Sequence, residues 1–181
     1  LENDAYAWSW AAAALLDHHP KYRDRFRAMS KDVLKPDFND IFYRAIGDDR
    51  PQLSEDWQVF VNGIEYGTEI ARAAIQRKPG QPLPSDGATV TIQADRGWQS
   101  SGLLLEAGKS YRLTASGRYQ VADNPEPWWC EPGGVSIRYY KGKPLGQLLA
   151  AIRPDGQQAN ALSPLLSPIV VGLGTTLTPS Q

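Results

Sequence analysis

Lys78-Pro79-Gly80-Gln81-Pro82-Leu83-Pro84-Ser85-Asp86-Gly87 is the stretch on which the fold turns. Its three prolines fix φ and remove backbone donors, and Pro79-Gly80 and Asp86-Gly87 are turn pairs. A helix cannot continue through such a segment, and it has little apolar surface to bury. Residues 79–87 therefore read as a linker. On either side the hydrophobic period differs, and that difference sets the fold class.

Upstream the period is helical. Tyr6 to Leu16 is apolar nearly all round, the pattern of a helix packed on several sides and central to its domain, with Asn3 or Asp4 as its cap. His19-Pro20 ends it, and Pro20 suits the first turn of the next helix, in which Tyr22, Phe26, Met29 and Val33 form one stripe. Phe38, Ile41, Phe42 and Ala45 repeat the pattern, and Gly47 stops it as a C-cap would. A fourth helix is expected from Ser54 to about Ile75, with Glu55 and Asp56 favourable at the positive end of its dipole and Trp57, Phe60, Val61 and Ile64 turned inward.

Downstream the period falls to two. Ala88-Thr89-Val90-Thr91-Ile92 and Tyr111-Arg112-Leu113-Thr114-Ala115 alternate, and turn signals such as Ala107-Gly108-Lys109, Pro132-Gly133-Gly134 and Lys141-Gly142-Lys143 separate short strands. That punctuation predicts an antiparallel sandwich rather than a parallel sheet. Gln157 to Pro168 reads as a polar, mobile loop. The expected fold is thus α+β as two segregated domains: a helical bundle segment over 1–78, the linker over 79–87, and an antiparallel β-sandwich over 88–181.

Composition narrows the function classes. Nineteen basic against twenty acidic residues, scattered along the chain, give no positive field for nucleic acid or an anionic membrane. The apolar run Trp10 to Leu16 is too short to span a bilayer, so no transmembrane segment is expected. The chain opens without Met inside a helical pattern, so a signal peptide or an upstream domain is expected before Leu1. Its one cysteine, Cys130, excludes an internal disulfide framework and reads as a small buried hydrophobe beside two tryptophans.

Catalytic patterns are missing. His-Glu-x-x-His, Gly-x-Ser-x-Gly and phosphate-cradling glycine loops do not occur. His18 and His19 are adjacent, so a helix would point them about 100° apart, and they read as C-terminal residues meeting the dipole rather than as metal ligands. Asp48-Asp49 and Glu55-Asp56 read as a solvated face. The most suggestive cluster lies in the β half, where Asp123, Asn124, Glu126 and Glu131 accompany Trp128 and Trp129. It combines hard oxygen ligands of the kind calcium takes with flat rings on which the C–H face of a sugar can stack. Consecutive tryptophans in a strand point to opposite faces, so one is expected in the core and the other is the candidate for a ligand.

Gly97-Trp98-Gln99-Ser100-Ser101-Gly102-Leu103, the run Leu105 to Gly117, Glu131-Pro132-Gly133-Gly134 and Pro144-Leu145-Gly146-Gln147-Leu148-Leu149 together resemble PA-IL-like domains, a family of galactose-binding-type lectins, over about residues 88 to 178. The resemblance implies a jelly-roll, galactose-binding-like sandwich, a glycan as partner and calcium as cofactor. It implies a metal contact from the backbone carbonyl of Tyr119; together with the cluster above, the candidate ligand-binding residues are Tyr119, Asp123, Asn124, Trp128, Trp129 and Glu131, and the candidate metal contacts are Tyr119 and Asp123. Tyr6-Ala7-Trp8-Ser9-Trp10-Ala11 through Phe26, then Asp37-Phe38-Asn39, Ala45-Ile46-Gly47 and Trp57, resemble the C-terminal helices of zincin-like peptidase domains of large bacterial secreted proteins. That likeness implies an upstream metal motif, no catalytic residue in this chain, and an extracellular or periplasmic location. The expected function is a non-catalytic carbohydrate-binding module of a larger secreted protein, with a structural domain supporting an upstream metallopeptidase-like domain as the alternative.

Overall fold

The computed structural model describes residues 2–156 and 161–180. The chain forms two compact units: Leu1–Gln76 with Asp95–Gln99 and Asp155–Leu166 make the first, and Arg77–Ala94, Ser100–Pro154 and Ser167–Gln181 make the second. The protein is accordingly a mixed α+β chain, with helices in the first unit and short strand pairs in the second.

The helical unit contains α1 (Glu2–His18), α2 (Arg23–Ala28), α3 (Phe38–Ile46), α4 (Arg50–Gly63) and the short α5 (Ile70–Ala73). Two buried clusters hold it together. Leu16, Tyr22, Met29 and Ile46 gather Phe26, Phe38, Ile41, Phe42 and Ala45 around them, while Ala11, Leu15 and Phe60 gather Trp57, Val61 and Ile70. Leu53 packs against both, so α4 joins the two clusters. None of these helices is long and apolar enough to cross a membrane.

Three sequence expectations change here. First, α1 already includes residues 2–4, so neither Asn3 nor Asp4 caps it, and its first half is exposed rather than central. Among its described side chains only Ala11, Leu15 and Leu16 are buried, and Tyr6, Trp8 and Trp10 are exposed. Second, Val33 and Ile64, expected on inward stripes, are exposed, because α2 gives way to a 3-10 turn at Met29 and α4 ends at Gly63. Third, α4 starts at Arg50, with Pro51 in its first turn where a missing N–H costs nothing. Glu55 and Asp56 therefore sit in the body of the helix and both are buried, so they are not a solvated face.

The segment after Asp155 is also better anchored than a polar composition suggests. Its residues 157–160 lie outside the described residues, but Ser163 and Leu165 are buried. The Ser163 hydroxyl donates to Glu55 Oε1 at 3.0 Å, the Ser163 N–H donates to Gln58 Oε1 at 2.8 Å, and the Gln58 amide donates to the Ala161 carbonyl at 3.0 Å. A buried carboxylate needs such donors, and here they come from more than a hundred positions away in sequence.

Asp49 ties α2 to the start of α4. Lys21 Nζ lies 2.7 Å from one carboxylate oxygen and Arg25 bonds the other. The Lys21 hydrogen bond, opposed by partial burial and reinforced by Arg25, holds the Asp49 carboxyl below its ordinary value of 3.8. A carboxyl lowered on folding stabilises fully above its unfolded pKa, and that stability is lost as pH falls through the folded pKa. Asp49→Asn should therefore weaken the helical unit at neutral pH and flatten its loss of stability below about pH 4, as read by urea unfolding across a pH series. An unchanged acid limb would show that the pair is solvent-screened to nothing.

Among the described residues the second unit has five two-stranded ladders. They pair β1 (Gln81–Pro82) with β2 (Leu103–Leu104) in parallel, and pair β3 (Tyr111–Thr114) with β10 (Gly174–Leu177), β4 (Tyr119–Ala122) with β5 (Trp128–Cys130), β6 (Val135–Tyr140) with β7 (Lys143–Leu145), and β8 (Leu149–Ala150) with β9 (Ile169–Val170), all antiparallel. Among the described residues these ladders do not join into one sheet. Tyr111 to Thr114 alternates between half-buried and exposed as its sequence predicts. Ala88–Ile92, with the same alternation, forms no strand: β-propensity alone, without a neighbouring strand to pair with, does not make a ladder. The stretch 79–87 in turn carries β1, because Gln81 N–H donates to the Gly102 carbonyl at 2.8 Å and Leu83 N–H to Leu104 at 3.2 Å.

Candidate functional site

The β4–β5 hairpin carries the cluster singled out in sequence. Its register pairs Tyr119 with Cys130, Gln120 with Trp129 and, past a bulge, Ala122 with Trp128. Side chains alternate across a strand, so Tyr119 and Cys130 share one face while Gln120 and Trp129 share the other. Burial follows the register: Cys130 is buried, Trp128 and Tyr119 are half-buried, and Trp129 is 53% exposed.

The inner face is committed to structure. The Tyr119 hydroxyl is directed at the carbonyls of Gly146 and Glu131, the latter at 3.2 Å, and the Cys130 thiol donates to the Glu131 carbonyl at 3.0 Å. Burial, and then the neighbouring Cys130 thiol, push the Tyr119 phenol above the ordinary tyrosine range. Trp128 lies on the same side as Cys130, with the Arg138 guanidinium 6.0 Å from its ring.

The outer face is the one open to a ligand. The Arg118 guanidinium lies 5.9 Å from the Trp129 ring, and Gln120 is the cross-strand neighbour of Trp129. Exposed Arg118 directly precedes β4 and exposed Glu131 directly follows β5. One indole, one guanidinium and one amide thus gather on this face, with the Glu131 carboxylate next along the chain, a combination of an apolar plate and hydrogen-bonding groups.

Of the residues named from sequence, the structure places Trp129 on this face and turns Tyr119 and Trp128 away from it, while Glu131 is exposed just past the end of β5. Asp123 and Asn124 are exposed in the loop that links the strands. Four residues of nearly extended chain separate Tyr119 from Asp123, about 13 Å, whereas oxygens sharing one calcium lie within about 5 Å of each other. Among the described residues no three acidic, histidine or cysteine side chains converge to hold an ion. Tyr119 and Asp123 therefore do not fit a shared calcium site.

Sequence reasoning missed Arg118 and Gln120. A period-two count back from Tyr119 places Arg118 and Gln120 on the opposite face from it, but only the cross-strand register assigns them to Trp129.

A second constellation lies in the helical unit. Tyr22 donates its hydroxyl to Asp56 Oδ2 at 2.7 Å, and His19 Nε2 lies 3.7 Å from the same oxygen. His19 Nδ1 accepts the Lys21 backbone N–H at 3.2 Å, and the imidazole stacks on Tyr22 with centroids 4.6 Å apart. His18, by contrast, is exposed and bonds the Ala14 carbonyl, as its place at a helix C-terminus predicts. The His19 ring is thus held by the Lys21 N–H and by stacking on Tyr22, with Nε2 toward Asp56.

Comparison of the chain with protein-family models, with curated proteins and with solved structures finds no match.

Proposed function

We propose that the β unit is a non-catalytic carbohydrate-binding module of a larger secreted protein, a sandwich-type domain that tethers its parent to glycan outside the cell or in the periplasm. The observation that carries this reading is the exposure of Trp129 on the outer face of β4–β5, flanked by Arg118 and Gln120 and followed by Glu131. A large ring left half in water costs hydration free energy, and stacking on the C–H face of a pyranose removes that cost. Arginine, glutamine and glutamate provide the planar donors and acceptors that sugar hydroxyls use.

The test is a glycan array probed with the whole chain, with and without calcium, beside Trp129→Ala and Trp128→Ala. Truncating a central aromatic anchor costs about 2 kcal/mol, or about 30-fold in affinity, so Trp129→Ala should lose its array signal. Its folding stability should stay within about 0.5 kcal/mol of the parent, because the ring is exposed. Trp128→Ala should keep binding wherever it stays folded. Silence of the parent on every glycan, or full binding by Trp129→Ala, would remove the proposal. Calcium dependence would require ligands other than the Tyr119 and Asp123 pair.

One observation favours the alternative, a structural domain supporting an upstream metallopeptidase-like domain. Tyr6 and Trp10 stand one helical turn apart on α1 at 76% and 59% exposure, an aromatic stripe suited to packing against another domain.

A further inference from the structure

The near-even charge of the chain divides unevenly between its two units. Fifteen acidic and ten basic residues fall in the helical unit, whereas nine basic and five acidic residues fall in the β unit, which thus carries a net charge of +4. On the outer face of β4–β5 one of those positive charges is free of any ion pair. Arg118 is exposed, and its side-chain contact among the described residues is the Trp129 ring at 5.9 Å. A guanidinium stays protonated at any physiological pH. We propose that the ligand of this face is an acidic glycan whose sugars carry carboxylates, the carboxylate being taken by Arg118 while the pyranose ring lies on Trp129. The inference rests on the carbohydrate-binding reading of that face and names its substrate class.

The geometry of the face supports the class. A carboxylate on a pyranose projects from the rim of the sugar ring, so a ring stacked on an indole brings it within reach of a long side chain beside that indole. The planar fork of arginine meets a carboxylate with two parallel N–H···O bonds of the stronger, charge-assisted type, whereas a neutral sugar offers it single hydroxyls. The contact with Trp129 does not compete with this, because a cation–π pair at an exposed position is weak and leaves donors of the guanidinium in water.

Charge supports it as well. Of the acids in the hairpin, Asp123 and Glu126 lie in the loop at the far end of the strands from Arg118, and Glu131, just past β5, makes no ion pair with it. The net positive charge of the unit adds a longer-range attraction for an anionic chain.

Isothermal titration of the whole chain with oligogalacturonate, hyaluronan fragments and sialyllactose, each beside the same glycan with its carboxylates methyl-esterified, tests the class. Low salt is used, where exposed charges are least screened. The best carboxylated glycan should bind about fivefold more tightly than its ester, the size of a favourable exposed ion pair. Arg118→Gln should bring the acid down to the level of its ester, and circular dichroism should show the variant folded, as expected for an exposed side chain. The comparison of acid with ester on the parent protein stands even where that variant fails to fold. Double-stranded DNA controls for attraction by net charge alone and should bind more weakly than the acidic glycan. Equal binding of acid and ester, DNA bound as tightly as the acid, or a folded Arg118→Gln that keeps the preference overturns the acidic class and leaves the Trp129 reading standing. No binding of any glycan, charged or esterified, removes both.

Discussion

Tyr22→Ala should unfold the helical unit under conditions where the parent is folded. The side chain is fully buried, packs in the cluster with Leu16, Met29 and Ile46, stacks on His19 and donates to Asp56. Large aromatic truncations in a core cost about 3–5 kcal/mol, and this one also strips a donor from a buried acid. Against the about 5–15 kcal/mol by which domains are typically stable, a loss of that size is a large share and moves the unfolding transition to much lower urea. Tyr22→Phe isolates the hydroxyl. It keeps the ring packing and loses only the bond to Asp56, for which about 2 kcal/mol is expected because a hydrogen bond to an acid is charge-assisted. Urea unfolding followed by helical circular dichroism measures both. If Tyr22→Phe matches the parent within about 0.5 kcal/mol, the Tyr22–Asp56 bond carries no weight and Asp56 is satisfied by other groups.

The helices were legible in sequence because their stripes are local. Tyr22, Phe26 and Met29, and Phe38, Ile41, Phe42 and Ala45, recur at helical spacing and do pack into one cluster. Glu55 and Asp56 were not legible. Side by side near an expected N-terminus they read as dipole partners in water, but α4 begins four residues earlier, at Arg50, and carries both inward. Their burial depends on donors supplied by Ser163 and Tyr22, one 108 positions away and one 34, and no local rule pairs residues across such distances. The same reason explains why residues 161–166 read as part of a solvated loop.

The β half divides along a similar line. That one of Trp128 and Trp129 faces outward follows from the period of a strand, and β5 shows it. Which one does is settled by register, since a slip of one residue would exchange them. Arg118 and Gln120 become neighbours of Trp129 only through that register, and Tyr119, adjacent to both in sequence, is lost to the interior by the same alternation. Proximity in sequence overstated the cluster around Asp123 because the loop holding it lies beyond the strand positions that share a face.

Gly97→Ala is the second substitution with a large expected effect, and it tests how the helical unit is closed. A Cβ at Gly97 would lie 2.1 Å from the Ala73 carbonyl oxygen and 2.6 Å from its carbon. Both are backbone atoms at the end of α5, fixed where Gly97 N–H donates to Arg72 at 3.0 Å and Gln76 N–H donates to Trp98 at 2.8 Å. No rotamer change relieves that overlap, so the chain must separate and the hydrogen bonds must lengthen. Overpacking of this kind costs about 1–3 kcal/mol, and loss of the two backbone bonds places Gly97→Ala at the upper end. Gly67→Ala in the same unit is the comparison. Gly67 has φ +83° but open space around it, so alanine there meets only the left-handed backbone penalty of about 1–2 kcal/mol. Judged by backbone angle alone, Gly67 would be the more sensitive position; judged by contact, Gly97 is. A larger loss of thermal stability at Gly97 than at Gly67 would show that residues 95–99 are held against α5 as a closely packed wall of the unit. The reverse order would mean that these residues detach at little cost and that the hydrogen bonds between them and α5 contribute little to holding the helices together.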